Sequence, residues 1–363
     1  MVVSFFNNLP GVILSFSIAL IGIFFSDYLG TEIMGFDKSP ISSIMLAIII
    51  GLLVGNIFSI SENFKLGIDF SIKKILRFGI ICLGIRLGLG DIINLGLAAL
   101  PLIIICLVSA LLIVIYLSKK INVSSKMAAL IAVGTSICGA SAIVATAPAI
   151  NADKEEVTYA IANITLFGIL AMFFYPFLAN FIFNGNEYAV GLFLGTSIHE
   201  TAQVAGAGLI YAEQFNSPEV LDIAAVTKLV RNTSMMIIIP LIAFIYHRNL
   251  KTTESVSNLS ILSMFPFFIL GFITMGIFRT IGDITLQSSG YSFGLLGSND
   301  WASIISTVKQ IAEISLAIAM ASLGLSTNLK SIASLGVKPF YLGFVAATSV
   351  GIVSFLAIKL IVI

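Results

Sequence analysis

Gly134-Thr135-Ser136-Ile137-Cys138-Gly139-Ala140-Ser141 and Gly195-Thr196-Ser197-Ile198-His199-Glu200-Thr201-Ala202-Gln203 open with the same tetrapeptide, and each lies inside an apolar stretch long enough to cross a bilayer. Gathering Gly, Thr, Ser, His, Glu and Gln where no bulk water can satisfy them is costly, and membrane proteins place such groups where a solute or ion passes. The rest of the chain fits that setting. Of its 363 residues 58% are hydrophobic and only 10% are charged, and the mean hydropathy is +1.08. No ordinary soluble domain of this length has such a composition, so an all-α polytopic membrane protein is expected.

Working outward, apolar runs of about 20 residues predict about eleven transmembrane helices, near 9–29, 41–60, 70–90, 97–118, 126–149, 157–183, 188–211, 220–246, 260–281, 303–326 and 338–362. The third is the weakest, because Lys73, Lys74 and Arg77 crowd its start. No Pro-, Ser- or Gln-rich linker interrupts the chain, so residues 1–363 read as one transmembrane domain. No basic segment or small-residue cleavage site precedes the first apolar run, Leu9 to Tyr28, which therefore reads as a span rather than a removable signal. With the amino terminus in the cytoplasm, the inner connections collect Lys65, Lys73, Lys74, Arg77, Lys119, Lys120, Lys126, Arg248, Lys251, Lys330 and Lys338. The outer ones keep Lys38, Lys154 and Arg279, which is the charge bias expected of that orientation.

Net charge of +1 provides no basic face for a nucleic acid. Cys82, Cys106 and Cys138 lie in apolar runs without metal-ligand spacing, so no disulfide framework, metal site or cofactor is expected. Phosphate loops, dinucleotide fingerprints and the His-Glu-x-x-His of metalloproteases are absent, and an enzyme is not expected. Internal similarity joins Leu83-Gly84-Ile85 through Leu95-Gly96 to Leu323-Gly324-Leu325 through Leu335-Gly336, an echo of duplication.

His199 falls about eleven residues into its span, roughly 16 Å deep at about 1.5 Å per residue, and Glu200 shares that depth. On a continuous helix Thr196, Glu200 and Gln203 share one face, with Thr196, His199 and Gln203 as an overlapping stripe. Two readings follow. Either Glu200 or His199 binds or relays a proton or counter-ion while Thr196, Ser197 and Gln203 hydrogen-bond a substrate, or these groups only join neighbouring helices. In the first motif Thr135, Ser136, Gly139 and Ser141 precede Pro148, and the glycines favour local unwinding that exposes amides to an anion; close helix packing is the alternative. Lys228 and Arg231 share a helical face with Asn232, and Arg231 at depth needs an anionic partner: Glu200, Glu313 or a transported anion. Lys228 alternatively snorkels to the surface. Arg86, set among glycines, either recognises an oxyanion or anchors a helix end, and Glu313 pairs with Lys309 one turn earlier on its helix.

The stretches Gly134 to Pro148, Gly195 to Gly208, Lys228-Leu-Val-Arg231 and Ala319-Met-Ala-Ser-Leu-Gly-Leu-Ser-Thr327 resemble the signatures of the YeiH-type family of bacterial inner-membrane proteins, which carry the label of sulfate exporters. The resemblance implies a multi-pass plasma-membrane protein related to the bile-acid and sodium-proton transporter fold, with two inverted five-helix repeats that cross at broken helices. On that analogy residues 1–40 form an additional first span and loop, about 41–183 the first repeat and about 188–363 the second. The crossing helices would contain Gly134 to Pro148 and Ala319 to Asn328. The function so implied is a secondary transporter that moves a small inorganic or organic anion, sulfate or a sulfonate relative, by alternating access, coupled to a proton or sodium ion. A homodimer is an admissible assembly. A passive anion channel, or a membrane protein without transport activity, is the alternative.

Overall fold

A computed structural model describes residues 2–33, 39, 41–250, 265–329 and 336–363. Lys38, Lys251 and Lys330, used above to orient the chain, lie outside the described residues. Among the described residues the α-helices follow in order: α1 Val2–Asp27, α2 Ser43–Ile57, α3 Glu62–Phe70, α4 Leu76–Leu83, α5 Leu89–Ile121, α6 Ser125–Ser136, α7 Ala140–Thr146, α8 Lys154–Ile182, α9 Glu187–Ser197, α10 Thr201–Phe215, α11 Glu219–Thr233, α12 Met235–Leu250, α13 Phe268–Ser289, α14 Ser298–Ser326 and α15 Val337–Ile361. Among the described residues, 7 helical stretches are long and apolar enough to cross a membrane: Asn7–Ile33, Leu89–Ile121, Lys154–Ile182, Glu219–Tyr246, Phe268–Ser289, Ser298–Ser326 and Val337–Ile361. The chain is thus a helical, multi-spanning membrane protein.

The remaining expected spans are shorter or interrupted. The one near 41–60 is the 15-residue α2. The weak third one is a chain of short pieces, α3 and α4 joined through a π-helical turn at Ser71–Ile75 and closed by a 3-10 turn at Gly84–Arg86. Those near 126–149 and 188–211 are each split in two, for reasons given below. Local chemistry sets many of the ends. Ser42, Ser124 and Asn186 accept from the backbone amides of Met45, Met127 and Ala189 at the starts of α2, α6 and α9. Asp153 and Glu156 cap α8 reciprocally. Asn122, Asn151, Asn184 and Asn216 adopt positive φ directly after helical segments, the left-handed stop that asparagine tolerates better than any other side-chain-bearing residue.

Two compact units arise, each drawing segments from both sides of the 183/188 division expected from the sequence. The first unit comprises Met1–Leu95, Leu209–Asp222 and Phe267–Asn328. In it α1 packs on α2 and α3, and α14 packs on α1, α2 and α4. At the crossing of α1 and α3 the backbones touch: a Cβ on Gly67 would run into the Asn8 carbonyl and Gly11, so only glycine fits there. Ser322 of α14 donates to Ser15 of α1 at 2.7 Å, both buried. The resemblance implied a broken crossing helix over Ala319 to Asn328; α14 stops at Ser326 inside that stretch, and Thr327 and Asn328 are not helical.

The second unit comprises Gly96–Gly208, Ile223–Pro266 and Leu329–Ile363. Its interior is apolar on either side of the first motif. Leu130, Ile131, Ile143, Ile150, Ile164 and Leu342 form one cluster, and Val133, Ile137, Cys138, Met235 and Ile239 another. Both helix interruptions, at 137–139 and 198–200, lie in this unit.

Candidate functional site

Each Gly-Thr-Ser-Ile motif is where a helix stops. Helix α6 ends at Ser136, Ile137 takes φ −116° and ψ −92°, and α7 starts after Gly139 at φ +72° and ψ −131°. Helix α9 ends at Ser197, Ile198 is extended at φ −82° and ψ 143°, and α10 resumes at Thr201. The face expected to run continuously through Thr196, His199, Glu200 and Gln203 is therefore interrupted between Ser197 and Thr201. A helix that stops leaves its last four carbonyls without intrahelical donors, a severe cost where water is scarce.

Two cations on α11 satisfy those carbonyls. Lys228 Nζ donates to the carbonyl of Ile137 at 2.9 Å and to that of Ile198 at 2.8 Å, the equivalent residues of the two motifs. Arg231 Nε donates to Ser136 at 2.8 Å, Nη1 to Thr196 at 2.7 Å and Ile198 at 3.2 Å, and Nη2 to the Thr135 carbonyl. Both side chains are 0% exposed. Their charges also lie at the negative ends of α6 and α9, where the helix dipoles favour them. Among the described residues no carboxylate forms an ion pair with either. Of the partners expected for Arg231, neither Glu200 nor Glu313 forms an ion pair with it; backbone carbonyls hold it instead. Lys228 does not snorkel.

Glu200 bridges the two breaks. Its Oε1 accepts from the Ala140 amide, the first of α7, at 3.0 Å. Its own amide donates to Gln203 Oε1 at 3.1 Å, half of a capping box for α10, and Gln203 Nε2 donates on to the Thr165 carbonyl at 3.3 Å. Gly139 is required twice over. Its φ excludes ordinary side chains, and a Cβ there would collide with Glu200 Cγ.

The hydroxyls expected to face a substrate mostly turn inward. Ser136 donates to Ala132 at 2.6 Å, Ser197 to Phe193 at 2.5 Å, and Thr196 to Leu192 at 2.6 Å while sharing a hydrogen bond with Ser354 at 2.7 Å. Thr135, Ser136 and Thr196 therefore enter the site through their backbone carbonyls. Other buried polar atoms stay without partners: Thr135 Oγ1, Thr227 Oγ1, Asn232 Oδ1 and both ring nitrogens of His199, beside which the Thr135 backbone lies without reaching hydrogen-bond geometry. Buried groups of this kind are rare in folded proteins. Thr227, one turn before Arg231 on α11, is the residue that sequence reasoning missed; only its spacing from Arg231 marks it. The accessible edge of the cluster is made by Ala140, Ser141, Glu200 and Thr201, of which Ser141 is exposed and the others half-buried, while Lys228, Arg231 and His199 are closed off.

Arg86 belongs to the first unit, and its cluster is different. Its Nε lies 2.6 Å from Asp222 Oδ1, at an angle too oblique for a good hydrogen bond, Nη1 is 3.3 Å from Glu313 Oε1, and Nη2 donates to the Pro218 carbonyl at 3.2 Å. Glu313 thus pairs with Arg86, and no ion pair joins it to Lys309 among the described residues. Cys82, Cys106 and Cys138 are buried free thiols.

Interrupted helices closed by buried cations, within a bundle of apolar helices, define a polytopic membrane protein with a built polar centre. Comparison with known proteins gives the family. The chain belongs to the family described as conserved hypothetical protein 698, which matches residues 10–343. It is 35% identical over 356 residues to a UPF0324 membrane protein of Fusobacterium nucleatum, covering 96% of each chain. It is 34% identical over 349 residues to one of Streptococcus agalactiae, again 96% of each, and 33% identical over 310 residues to one of Pasteurella multocida, 84% of each. This is the family that the sequence signatures resembled.

Proposed function

We propose that the protein is a secondary transporter for a small anion, sulfate or a sulfonate relative, working by alternating access around the two helix breaks, and that it is not an enzyme. One observation carries the reading: two buried cations meet both breaks without a carboxylate paired to either. Charge bookkeeping supports it. The ends of α6 and α9 contribute about −0.5 each and the starts of α7 and α10 about +0.5 each, so the four helix termini cancel. Lys228 and Arg231 against an ionised Glu200 then leave one positive charge, and a bound anion removes it. One N–H on each cation remains free of the carbonyl contacts above. The unpartnered Thr135, Thr227 and His199 add polar contacts at the same place.

The wider reading is an inner-membrane protein with a cytoplasmic amino terminus, about eleven spans and inverted repeats. Flux of labelled sulfate and methanesulfonate into vesicles reconstituted with the protein tests the carrier. Saturable uptake with trans-stimulation by unlabelled anion is expected. Flux that never saturates points to a pore, and no flux of either anion overturns transport.

A further inference from the structure

Glu200 is the single carboxylate at the breaks among the described residues, and it is the one charged member of the cluster with access to the outside. Its neighbours narrow what it can do. The charged and titratable groups facing it are Lys228 from α11 and Cys138 from the other break, with His199 its chain neighbour. Both cations are committed as donors to carbonyls. The carboxylate has no such commitment. It is not ion-paired, it accepts a single backbone amide, and its half-capping role runs through its main chain rather than its side chain. Glu200 can therefore gain a proton without dismantling either break.

Resting on the transport reading, we infer that the protonation state of Glu200 sets the valence of the anion the site accepts. With Glu200 ionised the centre carries one excess positive charge and matches a monoanion; with Glu200 protonated it carries two and matches a dianion. A dianion therefore enters with one proton, and an empty site holds the ionised carboxylate as its internal counter-anion. In a poorly hydrated interior a mismatch of one charge is expensive, so the preference is steep. The anion and Glu200 compete for the same positive charge, and an isosteric Gln removes the competitor.

The test compares sulfate, a dianion, with methanesulfonate, a monoanion, neither of which titrates near neutral pH. Binding is read on detergent-purified protein by calorimetry, and proton uptake by a pH dye in weak buffer. For the wild-type protein, sulfate affinity should fall about tenfold per pH unit above the carboxylate's titration, with one proton taken up per sulfate. Methanesulfonate should change by less than about twofold over the same range and take up no proton. Glu200→Gln should bind sulfate at all pH values with the low-pH affinity, and should lose the proton signal. The proton count on the wild-type protein needs no variant, so a Glu200→Gln chain that fails to fold leaves the inference testable. Equal pH responses for the two anions, or a pH step that survives in Glu200→Gln and vanishes in His199→Gln, overturns the role of Glu200 and leaves the carrier standing. Binding of neither anion overturns both.

Discussion

Two buried arginines illustrate opposite ways of keeping a guanidinium inside a membrane protein. Arg86 is neutralised by carboxylates, with Asp222 at 2.6 Å and Glu313 at 3.3 Å, whereas Arg231 is surrounded by carbonyls that carry no net charge. In the first arrangement charge meets charge, although Arg86 Nε and Asp222 Oδ1 stay outside hydrogen-bond geometry. The second satisfies hydrogen bonds but pairs the cation with no carboxylate among the described residues, and under the proposed transport function it is the arginine left for a passing anion.

Substitution at Arg231 breaks that contrast most sharply. Arg231→Ala leaves the Thr135, Ser136 and Thr196 carbonyls without donors, at about 1–3 kcal/mol each when buried. Set against a total stability of about 5–15 kcal/mol, this should leave little folded protein after extraction, by size exclusion and thermal unfolding in detergent. A variant that melts within a few degrees of wild type would show that the carbonyls find other partners. Next comes the ion pair. Arg86→Met or Asp222→Leu should each cost about 3–5 kcal/mol, because the surviving charge is stranded, while the double substitution should recover most of the loss. Additive losses in that thermal-unfolding cycle would mean that the two groups do not depend on each other.

A smaller effect is expected at Gly139. Gly139→Ala meets both backbone strain, about 1–3 kcal/mol, and Glu200 Cγ. Gly290→Ala has a similar φ of +77° but open space around it, so it should cost only about 1–2 kcal/mol. The difference between the two melting shifts isolates the Glu200 contact; equal shifts would remove that contact from the account. The smallest change in stability is at Thr227. Thr227→Val replaces a buried hydroxyl without a partner by a methyl of the same shape, so stability should hold within about 0.5 kcal/mol while sulfate affinity falls several-fold. Unchanged affinity would place the hydroxyl outside the anion's reach.

Much of the helical layout was legible because a span needs about 20 apolar residues and nothing else in this chain imitates one. The interruption at Gly139 was legible too, since glycine marks positions that other residues cannot adopt. The one at Ile198 was not. It contains no glycine, and His199-Glu200 reads as helical until Arg231, distant in sequence, supplies donors for the carbonyls that the break exposes. Arg86 looked like Arg231 in sequence because composition cannot tell which carboxylate folds back upon a cation. Lys228 looked long enough to reach the surface; only packing shows it turned toward Ile137 and Ile198.

The crossing at Gly11 and Gly67 bears on how firmly the first helix belongs to its unit. The first helix had the look of an accessory, something a lineage adds and can discard. Yet it is seated so closely on α3 that no methyl group fits between their backbones, and it shares a buried hydroxyl contact with α14. Its removal would open a groove the width of a helix along the bundle. A relative without that segment is free to carry bulkier residues where this chain has Gly67, so variation at that site across the family should track whether the leading helix is present.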